Sequence, residues 1–301
     1  MSAPAAGESW AELRARLEAE GFHPSRTLGQ NFLRDVSMAR AIARDAGVGE
    51  GDFVLEVGPG CCMLSLRLLE LGVRLLAVEI DPRLARVARE RLARPERGSA
   101  EVLEGDVLAG KHALAPAVLE RLPREGPWHV VANLPYSAGT PFLALVARLA
   151  HPPRSATVLL QRELVERLAA EPGGKAWGPV GARVRLAYDV RSVRRVAPEL
   201  FWPRPKVDSA VARLDLREER PDAALAGRFD RLVDGLFQTR RKALGGRLGE
   251  LWGDRERALG DLRDLGIDPR ARVETLPVER LLELARRAPE GALLPRSGRP
   301  E

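Results

Sequence analysis

The sequence predicts an α/β protein, with a Rossmann-like, doubly wound parallel sheet followed by a small all-helical C-terminal domain. Three observations carry this reading. Short apolar runs alternate with helix-period stretches from residue 53 to about 170. The first run ends in a glycine-rich turn, Gly58-Pro59-Gly60. Beyond about residue 222 only helical spacing remains.

Taken in order, Trp10, Leu13 and Leu17 at helical spacing predict a short amphipathic helix over 9–20. Strands are predicted at 53–57, 75–80, 100–103, 128–132 and 156–160. Helices fall between them at 63–71, from Asp81-Pro82 onward, at 113–122, at 140–150 and through about 170. Pro82 takes the first helical position, where its missing N–H is harmless. After the Glu171-Pro172-Gly173-Gly174-Lys175 interruption, 189–197 and 207–216 alternate like antiparallel edge strands. Helices follow at 225–237, 240–251, 254–265 and 276–288. The domains are therefore expected at 1–218 and 219–290, with 291–301 a disordered tail.

Composition narrows the function. No run of about 18 apolar residues is present, so no membrane span is expected. The N-terminus lacks the basic-then-apolar pattern of a secretion signal, and the cytoplasm is the expected location. Cys61 and Cys62 are adjacent and are the only cysteines, which excludes a disulfide framework and speaks against structural zinc. No metal site is expected. The formal net charge of +6 favours an anionic partner such as nucleic acid. Only four of 48 basic residues are lysine, so base composition of the genome also explains part of the arginine excess. Position is more telling than total: Arg183, Arg185, Arg191, Arg194, Arg195, Arg204 and Lys206 form one cluster, Arg240-Arg241-Lys242 another.

Polar residues at successive strand ends define a ligand crevice. Gly58 and Gly60 let backbone and a helix N-terminus approach a ligand. Glu79, about 20 residues on, suits a ribose diol, and Asp106 suits an adenine amino group. The third glycine of a dinucleotide fingerprint is missing, since Gly60 is followed by Cys61-Cys62-Met63. The fourth strand ends in Asn133-Leu134-Pro135-Tyr136, an amide, a stiffened turn and an aromatic ring, which suits a planar exocyclic amine. An Asx-Pro turn with a core tyrosine is the plainer alternative. That tetrapeptide resembles the Asn/Asp-Pro-Pro-Tyr signature of amino-group methyltransferases. With the crevice, it points to S-adenosyl-L-methionine rather than NAD.

Over residues 26–290 the chain resembles the KsgA family of ribosomal RNA adenine dimethyltransferases. The carrying motifs are Leu28-Gly29-Gln30-Asn31-Phe32-Leu33, Glu56-Val57-Gly58-Pro59-Gly60, Val78-Glu79-Ile80-Asp81, Asn133-Leu134-Pro135-Tyr136, the 161–170 stretch opening Gln161-Arg162-Glu163, Phe201-Trp202-Pro203-Arg204-Pro205-Lys206-Val207-Asp208-Ser209-Ala210 and Arg240-Arg241-Lys242. The resemblance implies methyl transfer from S-adenosyl-L-methionine to N6 of two adjacent adenines, each twice, in the 3′-terminal hairpin loop of 16S rRNA. The implied partner is the small ribosomal subunit or its precursor, met by a monomer.

It implies that 26–35 covers the cofactor. Cofactor contacts fall on Gln30, Asn31, Leu33, Gly58, Gly60, Glu79, Ile80, Asp106, Val107 and Asn133, and base-handling contacts on Asn133, Leu134, Pro135, Tyr136 and Phe201. Phe201, between prolines and cations, reads as part of a rigid exposed loop that sandwiches the base with Tyr136. Arg183, Arg194, Arg195, Arg204, Lys206, Arg240, Arg241 and Lys242 are the expected phosphate contacts. Departures from the family pattern are Ser137-Ala138-Gly139 after the tyrosine, Trp177 for a common tyrosine and Cys62 for Gly or Ala. Two alternatives remain: a large-subunit rRNA adenine methyltransferase of the antibiotic-resistance type, and a mainly non-catalytic ribosome-assembly factor.

Overall fold

The computed structural model describes residues 8–25, 27–110, 113–135 and 139–292. The expected tail from 293 onward, Tyr136 and the Ser137-Ala138 pair lie outside the described residues.

Helix α1 (Trp10–Ala19) starts at a capping box, in which Ser9 and Glu12 satisfy each other's backbone N–H groups. A two-residue strand β1 (Phe32–Leu33) precedes α2 (Val36–Asp45), which Asp35 caps through the Met38 N–H at 2.6 Å. Alternation then runs β2 (Phe53–Val57), α3 (Met63–Glu70), β3 (Arg74–Glu79), α4 (Pro82–Leu92), β4 (Ser99–Glu104), α5 (Pro116–Leu119), β5 (Trp128–Asn133), α6 (Gly139–Val146), β6 (Ser155–Gln161) and α7 (Arg162–Leu168). Next come α8 (Pro179–Arg185), β7 (Tyr188–Val196), β8 (Phe201–Trp202) and β9 (Ser209–Leu216). The chain ends in α9 (Ala223–Phe237), α10 (Leu244–Trp252), α11 (Arg255–Asp264) and α12 (Val278–Arg287).

Seven strands form one sheet in the order β4-β3-β2-β5-β6-β9-β7. The pairs among β4, β3, β2, β5 and β6 are parallel, and β9 returns antiparallel against β6. β2, β3, β5 and β6 are apolar and almost wholly buried, as strands covered on both faces must be. Edge strands β4 and β7 are mostly half-buried or exposed, β7 being buried only at its two ends. Strand order reverses between β2 and β5, so a crevice forms beyond their C-terminal ends.

The chain divides into two units, Met1–Val165 with Asp189–Leu216, and Glu166–Tyr188 with Arg217–Glu301. This corrects the expected boundary of 1–218: residues 166–188 belong with the C-terminal helices. Their apolar side chains decide it. Trp177, Ala182 and Leu186 share one core with Phe229, Leu232, Leu248 and Leu281. The periodicity of the 176–188 stretch gave no helix, yet α8 forms there, with Pro179 in its first turn. β1, α2 and β8 also escaped prediction, the two strands because two residues carry no period.

Candidate active site

A cavity of about 280 Å³ lies at the ends of β2, β3, β4 and β5. The segment Thr27 to Phe32 forms one wall, and Val57, Gly58 and Gly60 come from the turn after β2. Val78, Glu79 and Ile80 come from β3, Gly105 to Leu108 follow β4, and Asn133, Leu134 and Pro135 follow β5.

The turn after β2 needs its glycines. Gly58 and Gly60 have φ of 69° and 53°, in the left-handed region that side chains disfavour. A Cβ on Gly60 would lie 2.7 Å from Cδ1 of Phe32, so the ring rests on the bare backbone. Cys62 also has a left-handed φ of 61° and begins α3, where its thiol is wholly buried. Glu79 grips the turn, its two oxygens accepting the N–H groups of Gly60 and Asp81, each at 3.0 Å. Burial pushes the Glu79 carboxyl upward, and these backbone donors oppose the shift. Behind it Glu56 is 1% exposed, and its Oε2 has no hydrogen-bond partner among the described residues. Burial raises the Glu56 carboxyl to about 8, and the nearby Glu79 charge pushes the same way.

Asp81 ties the covering segment to a helix start. One of its oxygens caps α4 at the Arg83 N–H (3.0 Å), and the other accepts from Gln30 Nε2 at 3.1 Å. Gln30 Oε1 accepts the Ser25 N–H at 2.7 Å, so both ends of that amide hold the segment itself. Asp106 accepts the Leu108 N–H at 2.9 Å, closing an Asx turn.

Asn133, the last residue of β5, donates from Nδ2 to the Asn31 carbonyl at 2.9 Å. Only the amide nitrogen can donate to a carbonyl, so this bond fixes the side chain with Oδ1 on the other side. The Leu134 N–H donates to Leu159 O at 3.2 Å, and Pro135 O accepts from Gly139 N–H at 3.1 Å. The Leu134 carbonyl accepts no such bond from another described residue.

The cavity brings together Gln30, Asn31, Gly58, Gly60, Glu79, Ile80, Asp106, Val107, Asn133, Leu134 and Pro135. Two expectations need correction. Leu33 is 4% exposed and faces a separate void of about 20 Å³ shared with Glu56, Met63 and Leu64. Phe201 is 3% exposed, not on an open loop: it pairs with Leu33 in the β1–β8 ladder and joins the apolar core. Hydrophobicity overrides the flanking prolines there. Thr27, Phe32, Val57, Val78, Leu84 and Leu108 also line the cavity. Val57, Val78 and Leu108 lie near predicted strand ends, and Thr27 and Phe32 fall in the 26–35 covering segment, whereas Leu84 carried no signal.

The eight expected phosphate contacts fall into two sets. Arg183 pairs with Asp230 and Asp234, Arg194 with Asp45, Arg204 with Glu199, Arg240 with Glu274 and Lys242 with Glu250. Arg195, Lys206 and Arg241 are exposed and have no ion-pair partner among the described residues.

A parallel sheet reversing at a glycine turn, a buried acid after β3 and an amine-type Asn-Leu-Pro at the end of β5 define the Rossmann-like, S-adenosylmethionine-dependent methyltransferase class. A sequence model of the ribosomal RNA adenine dimethylase family matches residues 21–289, and the chain belongs to that family as an rRNA adenine dimethyltransferase. Ribosomal RNA small subunit methyltransferase A of Leifsonia xyli subsp. xyli is 38% identical over 281 residues, covering 92% of this chain and 97% of its own. That of Phenylobacterium zucineum is 37% identical, covering 92% and 93%. Among solved structures, the 23S rRNA methyltransferase ErmE aligns with a TM-score of 0.66 at 28% identity, over 85% of this chain and 99% of its own. A dimethyladenosine transferase from Plasmodium falciparum shares the fold, with a TM-score of 0.70 at 24% identity over 84% and 95%.

Proposed function

We propose that the enzyme dimethylates N6 of two adjacent adenines in the 3′-terminal hairpin loop of 16S rRNA, on the small ribosomal subunit or its precursor. The tethered Asn133 amide is the observation that carries this reading. S-adenosyl-L-methionine, when bound, supplies an electrophilic methyl group. The cavity suits it: Glu79 for the ribose hydroxyls, Asp106 for the adenine amine, and Ile80 and Val107 as apolar faces. Ile80 is 44% exposed and lines the cavity, so a bound ligand would cover it.

An adenine N6 lone pair is delocalised into its ring and is a poor nucleophile. Asn133 Oδ1, held by the Asn31 tether, accepts one amino N–H, and the open Leu134 carbonyl accepts the other. Together they favour a pyramidal nitrogen whose lone pair faces the methyl donor. The methylated nitrogen becomes acidic and releases its proton to water. Tyr136 stacks on the base. Phe201, buried in the core, anchors the chain that leads into the exposed basic loop 203–208.

Mapping of dimethyladenosine in rRNA from cells with and without the gene tests the proposal. Loss of both modified adenines near the 3′ end of 16S rRNA is expected. The likeness to ErmE gives the second reading. Loss of a large-subunit modification instead would establish it and overturn the first.

A further inference from the structure

Phe32 is a wall of the cofactor cavity, and its ring lies against the Gly60 backbone. The strand that carries it is only two residues long. Phe32 stands opposite Trp202 and Leu33 opposite Phe201, and this pair of strands forms a sheet of its own. Arg34 extends the ladder by donating its N–H to Leu200 O at 2.9 Å and its Nε to Glu199 O at 3.1 Å. The segment covering the cavity and the chain entering loop 203–208 are therefore one ribbon. Two-stranded ribbons are marginal by themselves, so something else must hold this one.

An aromatic cluster does. The Phe32 and Trp202 centroids are 5.9 Å apart, and Phe22 lies 6.0 Å from Phe32 and 6.5 Å from Trp202. Trp10 meets Trp202 edge-on at 5.7 Å, and the Arg14 guanidinium sits 5.2 Å above the Trp202 ring. Both residues are on α1. That helix is bolted to α4 by Glu8, paired to Arg91 at 2.9 Å with side chains only 13% and 6% exposed. Arg16 adds bonds to Glu8 at 3.0 Å and Glu90 at 3.3 Å. Leu13 and Leu17 complete the core with Phe22, Phe32 and Cys61.

We infer that Trp202 is a positioning residue for methyl transfer: clamped by Trp10 and Arg14 of the N-terminal helix, it holds Phe32 against Gly60 and so sets the width of the cofactor cavity. Trp202 does not line the cavity and acts through Phe32 alone. Aromatic contact, not hydrogen bonding, transmits the effect, so phenylalanine can replace tryptophan and alanine cannot. The inference rests on the reading that this cavity takes S-adenosyl-L-methionine.

The test compares Trp202→Ala, Trp202→Phe and Trp10→Ala with wild type, using calorimetric binding of S-adenosylhomocysteine and steady-state methylation of small subunits. Trp202→Ala is expected to weaken binding about tenfold and to raise KM for S-adenosyl-L-methionine more than it lowers kcat. Trp10→Ala gives a several-fold loss, and Trp202→Phe restores affinity to within about twofold. A role in general stability alone would lower Tm and leave the affinity of the folded protein unchanged; that result overturns the inference. Should Trp202→Ala fail to fold, Trp10→Ala decides, since unchanged affinity there also overturns it. Wild-type protein that binds no S-adenosylhomocysteine would overturn the functional reading and the inference with it.

Discussion

The nitrogen of the Asn133 amide is held by Asn31 O at 2.9 Å. In the proposed mechanism its oxygen accepts from the substrate amine. Asn133→Ala is expected to lower kcat for methyl transfer by about 10²–10³-fold, as loss of one preorganised polar group does elsewhere. RNA binding, measured by filter retention, should change little. Glu56 makes a pH-dependent contribution of the opposite kind. Its folded carboxyl titrates at about 8, against 4.5 for the ordinary group, so the folded state holds the proton more tightly. Below the ordinary value both states are protonated and no penalty exists. As pH rises toward 8 the unfolded chain releases its proton first, and stability falls. Glu56→Gln removes that loss. Its Tm should match wild type near pH 4.5 and exceed it above pH 8, a window set by the two pKa values. A Tm difference independent of pH would refute the assignment.

Individual elements show where backbone geometry leaves no choice. At the turn between β2 and α3, Gly60→Ala brings both a left-handed side chain and a collision with the Phe32 ring. About 1–3 kcal/mol of stability should be lost in urea denaturation, with weaker cofactor binding. In the helical unit, a Cβ on Gly181 of α8 would meet the backbone oxygen of Arg167 at 2.6 Å. That oxygen cannot yield as a side chain can. Gly181→Ala should therefore destabilise by about 1–3 kcal/mol. Hydrogen exchange should rise in 166–188 and in the C-terminal helices together, because they share one core. Faster exchange confined to the sheet would contradict the division.

For the whole molecule, charge distribution outweighs net charge. Five of the eight expected phosphate contacts are engaged with carboxylates, whereas Arg195, Lys206 and Arg241 are exposed without ion partners among the described residues. Arg241→Glu or Lys206→Glu should lower the log–log salt slope of RNA binding by about 0.7–0.9 per lost phosphate contact. Arg183→Glu should instead lower stability, because it places a third carboxylate beside Asp230 and Asp234. Equal slopes for all three variants would show that sequence clustering, not local pairing, governs the contacts.

By itself the sequence determined the alternation of strands and helices from β2 to α7, the glycine turn, and the acids and amide at strand ends. Periodicity and turn chemistry are local, and β2, β3, β5 and β6 are long enough to display them. Tertiary structure decided what depends on distant partners. Two residues, Phe32 and Leu33, become a strand only because Trp202 and Phe201 lie opposite them. Phe201 is drawn into the core, and Leu33 away from the cavity, by that same pairing. Residues 166–188 join the helices because Trp177 finds its apolar neighbours there. The Asn133 amide acquires its orientation from Asn31, a partner 102 residues away, and no local pattern encodes such a contact.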